Sequence, residues 1–311
     1  MSILDLDDST AAAREPAFFS AQVAQSRRFW FDPDPPPRTP LAVVCGGREH
    51  CAADYRLSRP TFAYHAVEVV VGGRGTLRLG GLGHPLRPGS AYVYGPGVAH
   101  AIETDPRRPL VKYFVSFAGR RAPGLLRDCG LPLGTVTHAM AVDAVAGLMD
   151  ELIATAARHS PRGPAICAVV LEHLLLRLAE TSVPAAAAES RSFLTFQRCR
   201  RFIADHHRDV PDLAAVATAC GVDASYLCRL FQRYHKQSPY RYLTHLKMAA
   251  AADLLHRPGR LVKEVAGELG FADPFLFSRA FKNVYGVSPK HFQSRWPASA
   301  GAGGRGAGPG N

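Results

Sequence analysis

At 311 residues and 47% hydrophobic content, the chain is long enough for two ordinary cores. No apolar run approaches membrane-spanning length, and the acidic start (Asp5, Asp7, Asp8) does not read as a signal peptide. Seven scattered cysteines favour free thiols over a disulfide framework, so a cytoplasmic protein is expected, and a net charge of +11 suits an anionic partner.

Residues 1–40 read as an N-terminal arm, mostly unpatterned and partly disordered, ending in the Pro-rich run from Asp32 to Arg38. In residues 41–180, short apolar runs at 66–71, 75–79, 91–94 and 110–117 alternate with Gly- and Pro-rich turns. That spacing predicts a small antiparallel barrel or sandwich. Two helices are expected at 142–158 and 164–179. The second carries Leu171, Leu174, Leu175 and Leu178 at i, i+3, i+4 and i+7, a stripe that packs either on its own barrel or in a dimer. Residues 181–192 read as a linker, because Pro184 breaks the preceding helix and large apolar residues are missing. Cys45 and Cys51 flank His50 at a spacing that matches no metal site, and a structural role is expected for them.

Residues 193–296 contain an internal repeat. Before a turn the offset is 49, pairing Val216-Ala217 with Val265-Ala266 and Gly221 with Gly270. After it the offset is 50, pairing Asp223 with Asp273, Leu227 with Phe277, Arg229 with Arg279, Phe231 with Phe281, and Ser238-Pro239 with Ser288-Pro289. Each glycine falls where a helix must stop in a left-handed conformation, and each aspartate follows as an N-cap. Pro274 falls at a first helical position, where its missing N–H costs nothing. Leu227, Leu230 and Phe231, like Phe277, Ala280 and Phe281, lie at helical spacing and face a core, leaving Arg229 and Arg279 outward. The pattern predicts two helix-turn-helix units, against the alternative of a helical bundle with two solvated arginines. The Gly/Ala-rich stretch 297–311 reads as a disordered tail.

The segments Ser225-Tyr226-Leu227-Cys228-Arg229-Leu230-Phe231, Ser238-Pro239-Tyr240-Arg241-Tyr242-Leu243, Gly270 to Lys282 and Gly286-Val287-Ser288-Pro289 resemble the DNA-binding domain of the AraC/XylS family of bacterial transcription regulators. The resemblance implies seven helices, with a connecting helix over about 239–256 spacing two recognition helices for adjacent major grooves, roughly 34 Å apart. The implied fold class is α+β and multidomain: a cupin-like β-barrel with a helical pair, then an all-α domain with two helix-turn-helix units. Residues 193–297 hold 16 Lys/Arg against 8 Asp/Glu, so most of the net charge lies where DNA would bind.

The base-reading candidates are Ser225, Tyr226, Cys228 and Arg229 in the first recognition helix and Phe275, Ser278 and Arg279 in the second. Arginine forks onto guanine O6 and N7, although Arg279 could equally bind phosphate and only position the domain. Phe275 stands where many relatives carry a small polar residue, and it either presses on a thymine methyl or extends the core. Lys236, Arg241, Lys282 and Lys290 are phosphate candidates, with a solvated surface as the alternative.

The stretch from Leu86 to His100 has a glycine turn, a strand, Pro96-Gly97 and a histidine, and it resembles the second cupin motif. With Arg59-Pro60 and Val71 to Gly75 it is similar to the effector-binding domain of the same family. By that resemblance Arg59, Lys112 and Phe114 are ligand contacts, with Ile102 in place of an aromatic, and Glu68 and His100 are additional lining. A metal cupin presents two histidines one residue apart; His65 is followed by Ala66 and Val67, and three positions put His65 and Glu68 on opposite faces of a regular strand unless a bulge intervenes. No metal and no cofactor are therefore expected.

These readings point to a one-component regulator, not an enzyme. Its expected partners are double-stranded promoter DNA, a small-molecule effector such as a sugar, a second copy in a homodimer, and RNA polymerase if it activates; no membrane is expected. Two alternatives predict differently. A ligand-independent architectural DNA binder would show no ligand effect, and a metal-dependent cupin enzyme fused to a DNA-binding segment would bind metal or turn over substrate.

Overall fold

The computed structural model of the chain describes residues 16–188 and 190–295 and divides into two units between Ala185 and Ala186. Nine strands come first: β1 (Val23–Trp30), β2 (Ala42–Cys51), β3 (Arg56–Arg59), β4 (His65–Gly72), β5 (Gly75–Leu79), β6 (Leu82–Leu86), β7 (Ser90–Tyr94), β8 (His100–Thr104) and β9 (Val111–Ala118). Helix α1 (Ala122–Asp128), strand β10 (Val136–Ala139), helices α2 (Val142–Ala157) and α3 (Gly163–Thr181) and strand β11 (Ser182–Pro184) follow. The strands form a seven-stranded sheet in the order β1-β2-β9-β4-β7-β10-β11 and a four-stranded sheet in the order β3-β8-β5-β6. All the ladders are antiparallel, as the alternating apolar runs predict.

The central strands of the larger sheet are buried on both faces, which is why they read as continuous apolar runs. In β4, Ala66, Glu68 and Val70 point toward the smaller sheet, where Tyr92, Leu77, Leu86 and Ile102 share a core with Ala66 and Val70. Val67 and Val69 point the other way and pack, with Val115 and Phe117 of β9, against Met149 and Leu152 of α2 and Leu171, Leu174 and Leu175 of α3. His65 stacks on Phe117 on that second face, 5.8 Å between ring centroids, so it and Glu68 are on opposite sides of the strand. The bulge in β4 lies beyond both, between Val70 and Gly72.

Two segments expected to be irregular are strands. Val23–Trp30, assigned from sequence to the arm, pairs with β2 from Val23↔Cys51 to Trp30↔Cys45. Its residues are mostly exposed and polar, so no alternation announces it; the pairing comes from the edge that β2 offers. Ser182–Pro184, assigned to the linker, pairs with β10, and Thr137 Oγ1 donates to the Val183 carbonyl at 2.7 Å. Three residues with a proline suit a sheet edge. Residues 1–15 of the arm and the tail 297–311 lie outside the described residues. All seven cysteines are free thiols, and only Cys228 is exposed.

A four-residue helix, α4 (Ala185–Ala188), leads into the second unit, whose described helices are α5 (Arg191–His206), α6 (Leu213–Ala219), α7 (Ala224–His235), α8 (Pro239–Leu255), α9 (Val262–Glu268), α10 (Pro274–Tyr285) and α11 (Pro289–Arg295). Leu227, Phe231, Phe277 and Phe281 are fully buried at the repeat positions. Phe196 meets Phe231 edge-on at 5.1 Å in the first half, and Phe281 meets Phe292 at 5.3 Å in the second. Helix α8 belongs to both halves, and its 17 residues span about 26 Å at 1.5 Å per residue.

Candidate DNA interface and effector cavity

Both turns close with the same hydrogen bonds. In the first, Gly221 N–H donates to the Thr218 carbonyl and Val222 N–H to Ala217; in the second, Gly270 N–H donates to Gly267 and Phe271 N–H to Ala266, all at 2.9–3.0 Å. This pair of hydrogen bonds ends a helix on a left-handed residue, and Gly221 and Gly270 have φ of +59° and +72°. The leftover carbonyl before each glycine is also satisfied. Arg198 Nη2 donates to Cys220 O and Lys247 Nζ donates to Leu269 O, each at 2.7 Å. Arg198 and Lys247 are themselves 49 residues apart, so the repeat begins a helix earlier than the turn chemistry revealed, with α5-α6-α7 matched by α8-α9-α10. The signal was present as one offset between two basic residues, hidden because Arg and Lys are common on any helix of a basic protein.

Each recognition helix then starts on its aspartate. Asp223 accepts from the backbone of Ser225 at 2.8 Å and of Tyr226 at 3.2 Å, and Asp273 accepts from Phe275 N–H at 2.8 Å. Hydrogen bonds from the Ser225 hydroxyl and these N–H groups hold the Asp223 carboxyl below its ordinary value. On α7, Ser225, Cys228 and Arg229 are exposed and Tyr226 is half-buried. Arg229 Nη1 donates to Ser225 Oγ at 3.1 Å while its guanidinium lies 5.7 Å from the centre of the Tyr226 ring. On α10, Arg279 is exposed and Ser278 turns its hydroxyl back to the Pro274 carbonyl at 2.9 Å. Phe275 is 84% exposed and Leu276 59%, so Phe275 does not extend the core. Lys236, Arg241, Lys282 and Lys290 are exposed. Lys236 ends α7 with φ of +57°, where the second repeat has Gly286 at +74°.

In the first unit, the register of β2, β9 and β4 gathers charge between the sheets. Glu49 lies opposite Lys112, and Lys112 opposite Val70, two residues along β4 from Glu68. Lys112 Nζ is 3.0 Å from Glu49 and 2.8 Å from Glu68; Tyr92 and Tyr94 hydroxyls donate to Glu68 at 2.7 and 2.6 Å; Arg28 donates to Glu49 at 2.7 Å. Burial would raise the Glu68 carboxyl, but the Lys112 ammonium and the hydrogen bonds from Lys112, Tyr94 and Tyr92 hold it below its ordinary value. Burial likewise opposes charge on Lys112, but Glu49 and Glu68 overrule it and hold the ammonium well above its ordinary value.

A narrow cavity of about 30 Å³, room for a water molecule or two, adjoins this network. Arg59, Glu68, Lys112 and Phe114 all line it. His100 does not: its ring stacks on Tyr94 at 3.9 Å, and Tyr94 occupies the lining position. Sequence reasoning missed Glu49, Tyr55, Phe62, Tyr94 and Ser116, and also Phe18, Phe19 and Ser20 of the arm. The arm is held there by Arg59 donating to Phe18 O, by Arg28 donating to Ser20 O at 2.6 Å, and by the Arg28 guanidinium 4.9 Å from the centre of the Phe19 ring. Only the sheet register brings these distant residues together, and no local pattern encodes it. Among the described residues, no group of His, Cys, Asp and Glu is arranged to hold a metal ion.

A protein with an ionic, aromatic-walled cavity in a β-unit and paired helix-turn-helix turns in a helical unit has the parts of a ligand-responsive DNA binder. The family models and the sequence relatives agree. The AraC-like ligand binding domain matches residues 43–175 and a helix-turn-helix domain matches residues 216–295. The MmsAB operon regulatory protein of Pseudomonas aeruginosa is 25% identical over 253 residues, covering 80% of this chain and 81% of that protein. The raffinose operon transcriptional regulatory protein of Pediococcus pentosaceus is 24% identical, covering 81% and 92%. The C-terminal domain of AraT, a response regulator from Geobacillus stearothermophilus, is 31% identical with a TM-score of 0.33, covering 36% of this chain and 93% of that one. The chain belongs to the AraC family of transcription regulators. No single helix among the described residues is long and apolar enough to cross a membrane.

Proposed function

We propose that this regulator acts in the cytoplasm as a homodimer on promoter DNA, under the control of a small polyhydroxylated effector such as a sugar. The observation that carries the DNA reading is the doubled turn with Arg229 and Arg279 exposed at equivalent positions. Ser225, Tyr226, Cys228 and Arg229 read one major-groove segment and Phe275, Ser278 and Arg279 the next, with Lys236, Arg241, Lys282 and Lys290 on phosphates. As an activator it would also contact RNA polymerase. The outward face of α3, where Ile166, Val169 and Leu176 are exposed, supports dimerisation through that helix.

The lining supports a small polar ligand such as a sugar, which needs more room than the cavity offers with the arm in place. Glu68, Lys112 and Arg59 offer acceptors and donors to hydroxyls, and Phe114 offers a stacking face. Phe18 and Phe19 form part of the wall, so a ligand that enters must displace or re-seat the arm. Control follows if the effector binds one arm position better than the other, since only differential affinity shifts a population. The test is binding of the purified protein to genomic fragments, with bound DNA sequenced, at two salt concentrations and with a panel of sugars. A motif with two half-sites whose enrichment changes with one sugar is expected. Featureless, salt-sensitive recovery would favour the architectural alternative instead.

A further inference from the structure

Superimposing the register of α10 on that of α7 keeps the arginine and changes its neighbours. Arg229 and Arg279 are equivalent at the offset of 50, as are Ser225 and Phe275, and Tyr226 and Leu276. In α7 the residue one turn before the arginine is a hydroxyl that hydrogen-bonds it. In α10 that residue is Phe275, 84% exposed, with Leu276 beside it at 59%. Phe275 is the second residue of α10, and the N-terminal residues of a recognition helix are the ones that reach base edges. Residues four apart on a helix lie about 5–6 Å from each other, so whatever Arg279 approaches, Phe275 approaches an adjoining part of the same surface. Arg279 and Lys282 make that surface basic, which selects an anionic partner.

Building on the DNA-binding reading above, we infer that the two half-elements are read by different chemistry. The α7 element is read by hydrogen bonding from the Ser225–Arg229 pair, and the α10 element by apolar contact of Phe275 with the 5-methyl group of a thymine. That methyl is the only apolar group a base pair displays in the major groove, and a side chain with no donor or acceptor has nothing else there to recognise. Phe275 is thereby a specificity-determining residue of the second element.

The test uses the full chain and the operator recovered from genomic fragments. Each thymine of the operator is replaced in turn by deoxyuridine, which removes the methyl and nothing else. The wild-type protein should lose about fourfold in affinity at a thymine of one half-element, the worth of one methyl group withdrawn from water. Phe275→Ala should bind the thymine and uracil versions equally, Phe275→Leu should keep part of the preference, and the unfolding temperature should not change, because the side chain is outside the core. A sharp operator with no methyl-sensitive thymine would overturn the inference alone. So would a Phe275→Ala protein that keeps the wild-type preference, as it would if the apolar tip docked on another protein. Absence of any recurring operator would overturn the regulator reading itself, and this inference with it.

Discussion

Gly221 and Gly270 end their helices with the same pair of hydrogen bonds, and a basic side chain from the preceding helix takes the spare carbonyl in both units. The outward faces have diverged. Helix α7 presents a hydroxyl, a thiol and a hydrogen-bonded arginine; helix α10 presents a phenylalanine, a leucine and an arginine. The turn is constrained by backbone geometry, which tolerates few residues, while an exposed face is constrained only by what it meets. The repeated turn therefore keeps its skeleton while its outward face varies.

The sharpest way to break this comparison is at the two arginines. Arg229→Ala should weaken specific binding by about 1–3 kcal/mol, and by more than Arg279→Ala, because Ser225 and Tyr226 pre-orient Arg229. Titrations on operator and random DNA check this, and equal losses on the two would make Arg229 a phosphate contact. The shared skeleton is tested next. Lys247→Met leaves the Leu269 carbonyl without its donor at a buried position and should destabilise the second half by about 2 kcal/mol, with a smaller loss for Arg198→Met in the first, where the arginine is exposed and water can replace it. Denaturant unfolding of the full chain measures both, and a neutral Lys247→Met would refute the capping account.

Two smaller effects sharpen the contrast. Lys236 is left-handed where the second repeat uses Gly286, so Lys236→Gly should stabilise the chain by roughly 1 kcal/mol. A loss of stability instead would mean that the Lys236 side chain makes contacts worth more than its strain. His235 has Tyr285 as its counterpart, and burial, aided by Arg200, holds His235 below the ordinary histidine value of 6.5. The unfolded chain then takes up a proton that the folded unit resists, so stability should fall as pH drops through 6.5 toward the lowered folded value. His235→Tyr should flatten that part of the stability profile between pH 7.5 and 5.5; an unchanged slope would exonerate His235.

What the sequence determined by itself is the local chemistry. The glycine-to-aspartate turns at 221–223 and 270–273, Ser-Pro helix starts at 238 and 288, and buried positions such as Leu227 and Phe277 are legible because each is decided within one or two helical turns. Of the five residues expected at the ligand site, Arg59, Lys112 and Phe114, read through resemblance, and Glu68 line the cavity, and the alternation of β4 already separated His65 from Glu68. What only the tertiary structure decided depends on pairing across long stretches of chain. Strand β1 forms because β2 offers it an edge, β11 because β10 does, and Glu49 faces Lys112 through the ladder between β2 and β9. The side chains on a strand repeat every two residues, so a shift of one position in that ladder would turn Lys112 toward the helices and dismantle the ionic wall. Nothing within either strand reveals which register is chosen; that follows from the packing of both faces at once.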